Sequence, residues 1–270
     1  MKNLRQGKIA YFRPDWAGKE IDAGFTTRNG GVSRPPYNSL NLGAGTDDPN
    51  HNVEANRAAL ARTFDLLPHL LLTVSQVHGT DILIVDESNP DFSHFQDVES
   101  DAIITNQPGI MIGVLVADCY PVLLFDPVNK VAAAVHAGWR GAAAGLIGNV
   151  VKAMSSHFSS KPADLLAAIG SGIGAHKYQV DRPVREAFRA GSGYWEAISS
   201  EVSLGQWQLD IGKSCRLQLE AAGLVGKNID EVKECTCCHR ELFFSHRRDQ
   251  GVTGRQIGFV LINEGGGRGS

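Results

Sequence analysis

The chain of 270 residues is 43% hydrophobic and 20% charged, and 26 Lys and Arg against 29 Asp and Glu leave a formal charge of -3. That composition supplies a large core, in one mixed domain or two small ones, but no polycationic face of the kind that duplex nucleic acid or an anionic membrane demands. Five cysteines, three of them crowded at Cys235, Cys237 and Cys238, do not space out like a secreted disulfide framework, so free thiols or metal ligands in a reducing cytoplasm are expected.

The opening Met1-Lys2-Asn3-Leu4-Arg5 is charged, with no apolar stretch behind it, and no later run reaches the roughly 20 apolar residues that cross a bilayer. Residues 25–36 combine Asn29-Gly30-Gly31 with a Pro pair, the punctuation of loops. Asp47-Asp48-Pro49 introduces a helix over 53–64, with apolar residues at helical spacing. Residues 70–77 and 82–85 read as strands separated by Gly79-Thr80-Asp81. The apolar runs 110–117, 122–125 and 131–136 suit strands buried on both faces, and Gly138-Trp139-Arg140-Gly141 opens a helix running to about Met154. A strand at 165–169, helices at 183–190 and 211–222 and a closing strand at 257–262 follow. Without a strict βαβ period, this order favours an α+β (mixed α/β) domain, its mixed β-sheets flanked by helices, over a doubly wound one. The expected domain spans 1–264, and the glycine-rich tail 265–270 is expected to be disordered.

Three candidate metal ligands fall at the ends of these buried runs. His78 follows Val74-Ser75-Gln76-Val77, Cys119 follows Val116-Ala117-Asp118, and His136 follows Ala134-Val135, each ahead of a turn former: Gly79, Pro121 or Gly138. Neighbouring strands that end at one sheet edge bring such side chains together. Two imidazoles and a thiolate suit zinc, and three protein ligands with a fourth position open is the pattern of a catalytic ion. The three lack CxxC or HExxH regularity, however, and taken singly each is more often a core cysteine or a hydrogen-bonded histidine.

The strings Ser75-Gln76-Val77-His78-Gly79, Ala117-Asp118-Cys119-Tyr120-Pro121-Val122 and Val135-His136-Ala137-Gly138-Trp139-Arg140-Gly141 resemble the signature of the YfiH or laccase-domain family. So do Thr26 to Ser33, Ser39-Leu40-Asn41-Leu42-Gly43, Phe244 to Asp249 and Thr253-Gly254-Arg255-Gln256, so the resemblance covers almost the whole chain. Proteins of this family have been called multicopper polyphenol oxidase, purine nucleoside phosphorylase and peptidoglycan editing factor. The resemblance implies a YfiH-like fold with zinc on His78, Cys119 and His136. It further implies phosphorolysis of adenosine, inosine and methylthioadenosine, with adenosine deamination. An open metal site suits both reactions, orienting a phosphate oxygen towards C1′ of the ribose or activating water against C6 of adenine. Purine nucleosides and phosphate are then the partners of a monomeric enzyme.

Other residues carry two readings each. Arg28 with Gly30, Gly31 and Ser33 forms either an anion-binding loop or a tight turn anchored by the arginine. With Asn41 and Arg140, Arg28 and Ser33 are the expected substrate contacts. Asp118, pointing away from Cys119 along a strand, supports the site rather than acting as a general base; Tyr120 either stacks on a base or packs. Arg247, Arg248 and Arg255 favour structural ion pairs with Asp249. Gly170-Ser171-Gly172-Ile173-Gly174 is a weak match to a nucleotide loop, and Ala175-His176-Lys177 stands where the family carries a Pro and a Cys pair. Cys235-Thr236-Cys237-Cys238-His239 lacks a second knuckle nearby in sequence and is read as free cysteines in a turn.

Three rival functions remain at this stage. A copper polyphenol oxidase would need grouped histidines, whereas the nine here are scattered. A hydrolase would use Cys119 as nucleophile with His78 or His136 as base. The last is a non-enzymatic accessory factor for cell-wall editing.

Overall fold

Along the strand Val131–Ala137, Val131, Ala133 and Val135 enter one apolar cluster while Ala132 and Ala134 enter another. This period of two, with both faces apolar, requires a layer on each side of the sheet. The computed structural model describes residues 1–87 and 95–264, and the expected disordered tail lies outside them. Among the described residues two six-stranded sheets lie between helices. The first sheet orders its strands Lys2–Gln6, Ile9–Arg13, Ile21–Thr26, Gln256–Ile262, Met111–Val116 and Leu71–Leu72. The second orders Ile229–Glu231, Leu166–Ile169, Tyr120–Asp126, Val131–Ala137, Ala102–Thr105 and Ile82–Val85.

The sheets face one another through Ile112, Val114 and Val260 on one side and Leu123, Phe125 and Ala134 on the other. The outer face of the first sheet is covered by the helix Asn50–Thr63, whose Leu60, together with Phe64 just beyond it, meets Met111 and Phe259. Leu146–Phe158 and Ile211–Ala221 cover the outer face of the second. This is the α+β architecture expected, and among the described residues no helix is long and apolar enough to cross a membrane.

Two elements differ from expectation, and one of the differences builds the site. The predicted strand over 70–77 pairs regularly only at Leu71–Leu72, then leaves the first sheet and meets Glu99 through an isolated bridge at Ser75 on its way to the second. The chain makes the same crossing between Met111–Val116 and Tyr120–Asp126. Because Leu71–Leu72 runs parallel to Met111–Val116, both crossings leave the same end of the sheet. The expected single helix from 138 to 154 is instead Trp139–Ala143 followed by Leu146–Phe158. Gly145, at φ 80°, turns the chain between them, a conformation that costs glycine little.

Candidate metal centre

His78 and Cys119 sit on the two crossings, and His136 lies near the end of a strand of the second sheet, paired with Pro121. Both crossings turn sharply there. His78 has φ 61° and its counterpart Asp118 has φ 86°, the left-handed region that side-chain-bearing residues rarely enter. Hydrogen bonds hold each turn. Asp101, buried at the start of Ala102–Thr105, accepts the backbone N–H groups of Val77, His78 and Gly79 at 3.2, 3.0 and 2.5 Å. Asp118 accepts the Thr236 hydroxyl at 2.6 Å and the Arg247 backbone N–H at 2.7 Å, the supporting role expected of it.

The ligand atoms of His78, Cys119 and His136 lie within 4.8 Å of one another. His78 Nε2 is 3.8 Å from Cys119 Sγ, close to the roughly 3.5 Å edge of a tetrahedral zinc site with nitrogen and sulfur ligands. The His78 and His136 rings meet edge to face, at 4.8 Å and 73°. His136 Nδ1 is 2.7 Å from Asp101 Oδ1, which fixes the ring and leaves Nε2 for a metal. A Cβ at Gly138 would stand 2.7 Å from His78 Cδ2 and 3.3 Å from Cys119 Sγ, so glycine is what lets the backbone pass so near. The donor set and its spacing fit zinc.

The electrostatics agree. Burial opposes ionisation of Cys119, but the charges and hydrogen bonds of His136 and His78 outweigh it and bring the thiol down to about 6. Burial likewise opposes a charged His136, yet the Cys119 thiolate and then Asp101 raise it to about 9. Each group thus favours the charged form of the other. The same Asp101 carboxylate ties the His78 turn to the His136 ring, and it lies below the ordinary range because hydrogen bonds from His136 and Gly79 outweigh the burial that would raise it.

The three residues open on a cleft of about 680 Å³ that is also lined by Trp139, Arg140, Tyr178, His246, Arg247 and Arg255. Arg140 lies over the Trp139 ring at 4.4 Å and Arg247 over the Tyr178 ring at 5.1 Å. Burial, with the nearby Cys119 charge, holds the Tyr178 phenol well above its usual range, so it stays a proton donor. Of the expected substrate contacts, the structure places Arg140 on this cleft; Arg28, Ser33 and Asn41 are not among its lining residues. Arg28 donates to the carbonyls of Asn38 and Arg240, at 2.6 and 3.1 Å, and stacks on Phe244. The loop N–H groups that an anion would need are taken: Gly30 and Gly31 by the Ser39 hydroxyl, Val32 by Asn56 and Ser33 by the Ser39 carbonyl. Ser33 Oγ accepts from Asn56 at 2.8 Å. Asn41 bonds Thr46, Asp48 and the backbone of Gly43 and Arg255, shaping the loop that borders the cleft.

The other candidates sort as cleanly. Tyr120 packs, its hydroxyl donating to the Ile173 carbonyl at 3.1 Å. Arg248 pairs with Asp249 through two bonds of 2.9 and 2.8 Å, as expected, while Arg247 and Arg255 reach the cleft. The glycines of the 170–174 loop serve close packing: a Cβ on Gly170 would strike Phe25, and one on Gly172 would strike Tyr120. Asp101 and Tyr178 were not singled out in sequence. The only signal for Asp101 is an acid set directly before the apolar Ala102-Ile103-Ile104, which must find partners once buried.

A family model described as multi-copper polyphenol oxidoreductase laccase matches residues 22–263. The purine nucleoside phosphorylase YlmD of Bacillus subtilis is 34% identical over 259 residues, 93% of either chain. The purine nucleoside phosphorylase YfiH of Escherichia coli is 38% identical over 251 residues, 92% of this chain and 97% of that one. The crystal structure of the hypothetical protein YfiH of Bacillus licheniformis superposes with a TM-score of 0.89 at 32% identity, covering 95% of this chain and 97% of its own. YlmD of Geobacillus stearothermophilus gives 0.87 at 33%, covering 97% and 99%. Alike in sequence and in fold over nearly its whole length, this chain belongs to the laccase-domain family of YfiH and YlmD.

Proposed function

We propose that this protein is a zinc-dependent purine nucleoside phosphorylase, acting on adenosine, inosine and methylthioadenosine, with adenosine deaminase activity at the same centre. The observation that carries the reading is the convergence of His78, Cys119 and His136 on the wall of a cleft that also carries arginines and aromatic faces. The names of the relatives, both purine nucleoside phosphorylases, support it. When bound there, zinc supplies a Lewis acid for an oxygen of phosphate or substrate.

The chain's own residues supply the rest. Arg140, Arg247 and Arg255 place positive charge around the cleft, which draws in phosphate and offsets its repulsion from an electron-rich leaving base. Trp139 and Tyr178 offer flat apolar faces against which a purine stacks. The Tyr178 hydroxyl, held protonated, donates to a substrate oxygen or nitrogen rather than removing a proton from it. Asp101 keeps the His136 proton on Nδ1, away from the cleft.

One observation favours a second reading. Cys119, His136 and Asp101 also stand in the order nucleophile, base and orienting carboxylate, as in a thiol hydrolase. Metal occupancy separates the two, since a thiolate bound to zinc is not free to attack. The test of function is chromatographic: purified protein is given adenosine or inosine, with and without phosphate, beside Cys119→Ala. Ribose 1-phosphate and free base formed only with phosphate, and not by the variant, is the expected result. Inosine and ammonia from adenosine report the deaminase arm. No product under any condition would overturn the proposal.

A further inference from the structure

Outside the cleft the fold assembles a second group of soft ligands. His176, Cys235 and Cys238 bring their ligand atoms within 4.8 Å of one another, although 58 residues lie between the histidine and the first cysteine. His176 Nε2 stands 3.2 Å from Cys238 Sγ. Cys235 and Cys238 bracket a turn closed by the Cys238 and His239 N–H groups, both donating to the Cys235 carbonyl at 3.1 Å. That is a CxxC knuckle with its two sulfurs on one side. The sequence lacked a partner for it, and the chain provides one from the turn Ala175–Lys177.

Neighbouring groups are arranged as a metal site needs. The Gly174 N–H donates to Cys235 Sγ at 3.1 Å, a bond that stabilises a thiolate and orients it. A Cβ at Gly174 would stand 2.9 Å from the His176 ring and 3.4 Å from Cys235, so the glycine is what lets imidazole and thiolate close on each other. Cys235 is buried, whereas His176 and Cys238 are exposed, which gives an ion a route in from solvent. All five cysteines are free thiols.

We propose that His176, Cys235 and Cys238 hold a second thiophilic transition-metal ion, zinc at neutral charge with two thiolates, separate from the ion of the cleft. Its role is structural. It fastens the turn Ala175–Lys177, which leads directly into the cleft residue Tyr178, to the turn that starts at Cys235. Thr236, inside the second turn, bonds Asp118, the residue next to Cys119, so the clamp also braces the crossing that carries the first ligand.

The test counts metal on the full-length protein. The chain is stripped with a chelator under a thiol reductant, reloaded with excess zinc, desalted and measured by plasma mass spectrometry. Two ions per chain are expected, one for each ligand group. The count falls to one in Cys119→Ser and, separately, to one in Cys238→Ser and in His176→Ala. Both of these last side chains are exposed, so circular dichroism should stay unchanged. Cobalt in Cys119→Ser protein then reads the ligands: it shows thiolate-to-metal charge transfer that Cys238→Ser reduces to about half. A wild type that holds one ion and loses it in Cys119→Ser overturns the proposal. So does a second ion that survives both Cys238→Ser and His176→Ala, or cobalt bound to Cys119→Ser protein without the thiolate band.

Discussion

The loop from Thr26 to Asn41 and the site segments His78-Gly79 and His136 to Gly141 look alike in sequence: both pair glycines with basic residues beside apolar runs. They differ in where their polar groups end up. In the loop, Arg28, Gly30, Gly31, Val32 and Ser33 have protein acceptors, and Ser33 and Asn41 hold neighbouring segments. At the crossings two imidazoles and a thiolate converge without saturating one another. Nearby, Arg140 rests on the Trp139 face, and among the described residues no hydrogen bond or ion pair engages its guanidinium. Residue type does not separate a functional loop from a structural one. Uncommitted donors and acceptors do, because buried polar groups are otherwise paired.

The sharpest way to break this comparison is to exchange the two regions' phenotypes. Removing a ligand, as in His136→Ala, should abolish both zinc at the cleft and ribose 1-phosphate formation while the protein stays folded, as read by metal analysis and circular dichroism. Asp101→Asn keeps the shape of the side chain but loses the charge that orients His136; zinc affinity, measured by competition with a chromophoric chelator, should fall about 10- to 100-fold. Arg28→Ala should behave oppositely. It leaves kcat/KM per folded molecule unchanged and lowers unfolding free energy by about 2 kcal/mol, since charge-assisted bonds to the part-buried carbonyls of Asn38 and Arg240 are lost. A large drop in kcat/KM for Arg28→Ala would return that loop to the site.

The smallest effect concerns Asp249, whose carboxyl burial would raise but whose Arg248 partner holds it below the ordinary carboxylate range. A depressed folded pKa contributes stability above the unfolded value of about 3.9 and loses it as pH falls through the folded value. Asp249→Asn should therefore cost about 1–2 kcal/mol at neutral pH in denaturant titrations, and the gap to wild type should close below about pH 4. A gap that persists in acid would mean the pair acts through shape rather than charge.

Much of the core and the convergence of His78, Cys119 and His136 were legible, because buried strands announce themselves as apolar runs and the three residues lie within ordered motifs. The rest depended on chain crossings. Periodicity ran the strand from 70 through 77, since apolar residues continue past Leu72 even though the backbone has left the sheet. Helix propensity across Ala142-Ala143-Ala144 hid the break at Gly145. Asp101 and His176 act on partners more than twenty residues away along the chain, where no local pattern points. His176 did stand out as a departure from the family's pattern, and only the fold brings it to Cys235 and Cys238.

The central claim, that the cleft ion on His78, Cys119 and His136 runs phosphorolysis, is tested most directly by metal titration in the Cys238→Ser background. Stripped protein is given zinc in small steps, and ribose 1-phosphate formation from inosine and phosphate is followed at each. Activity should rise linearly to one ion per chain, for the single ligand group left intact, and then stay flat, while His136→Ala protein stays inactive throughout. Phosphorolysis that survives stripping, or that copper restores and zinc does not, would contradict the account.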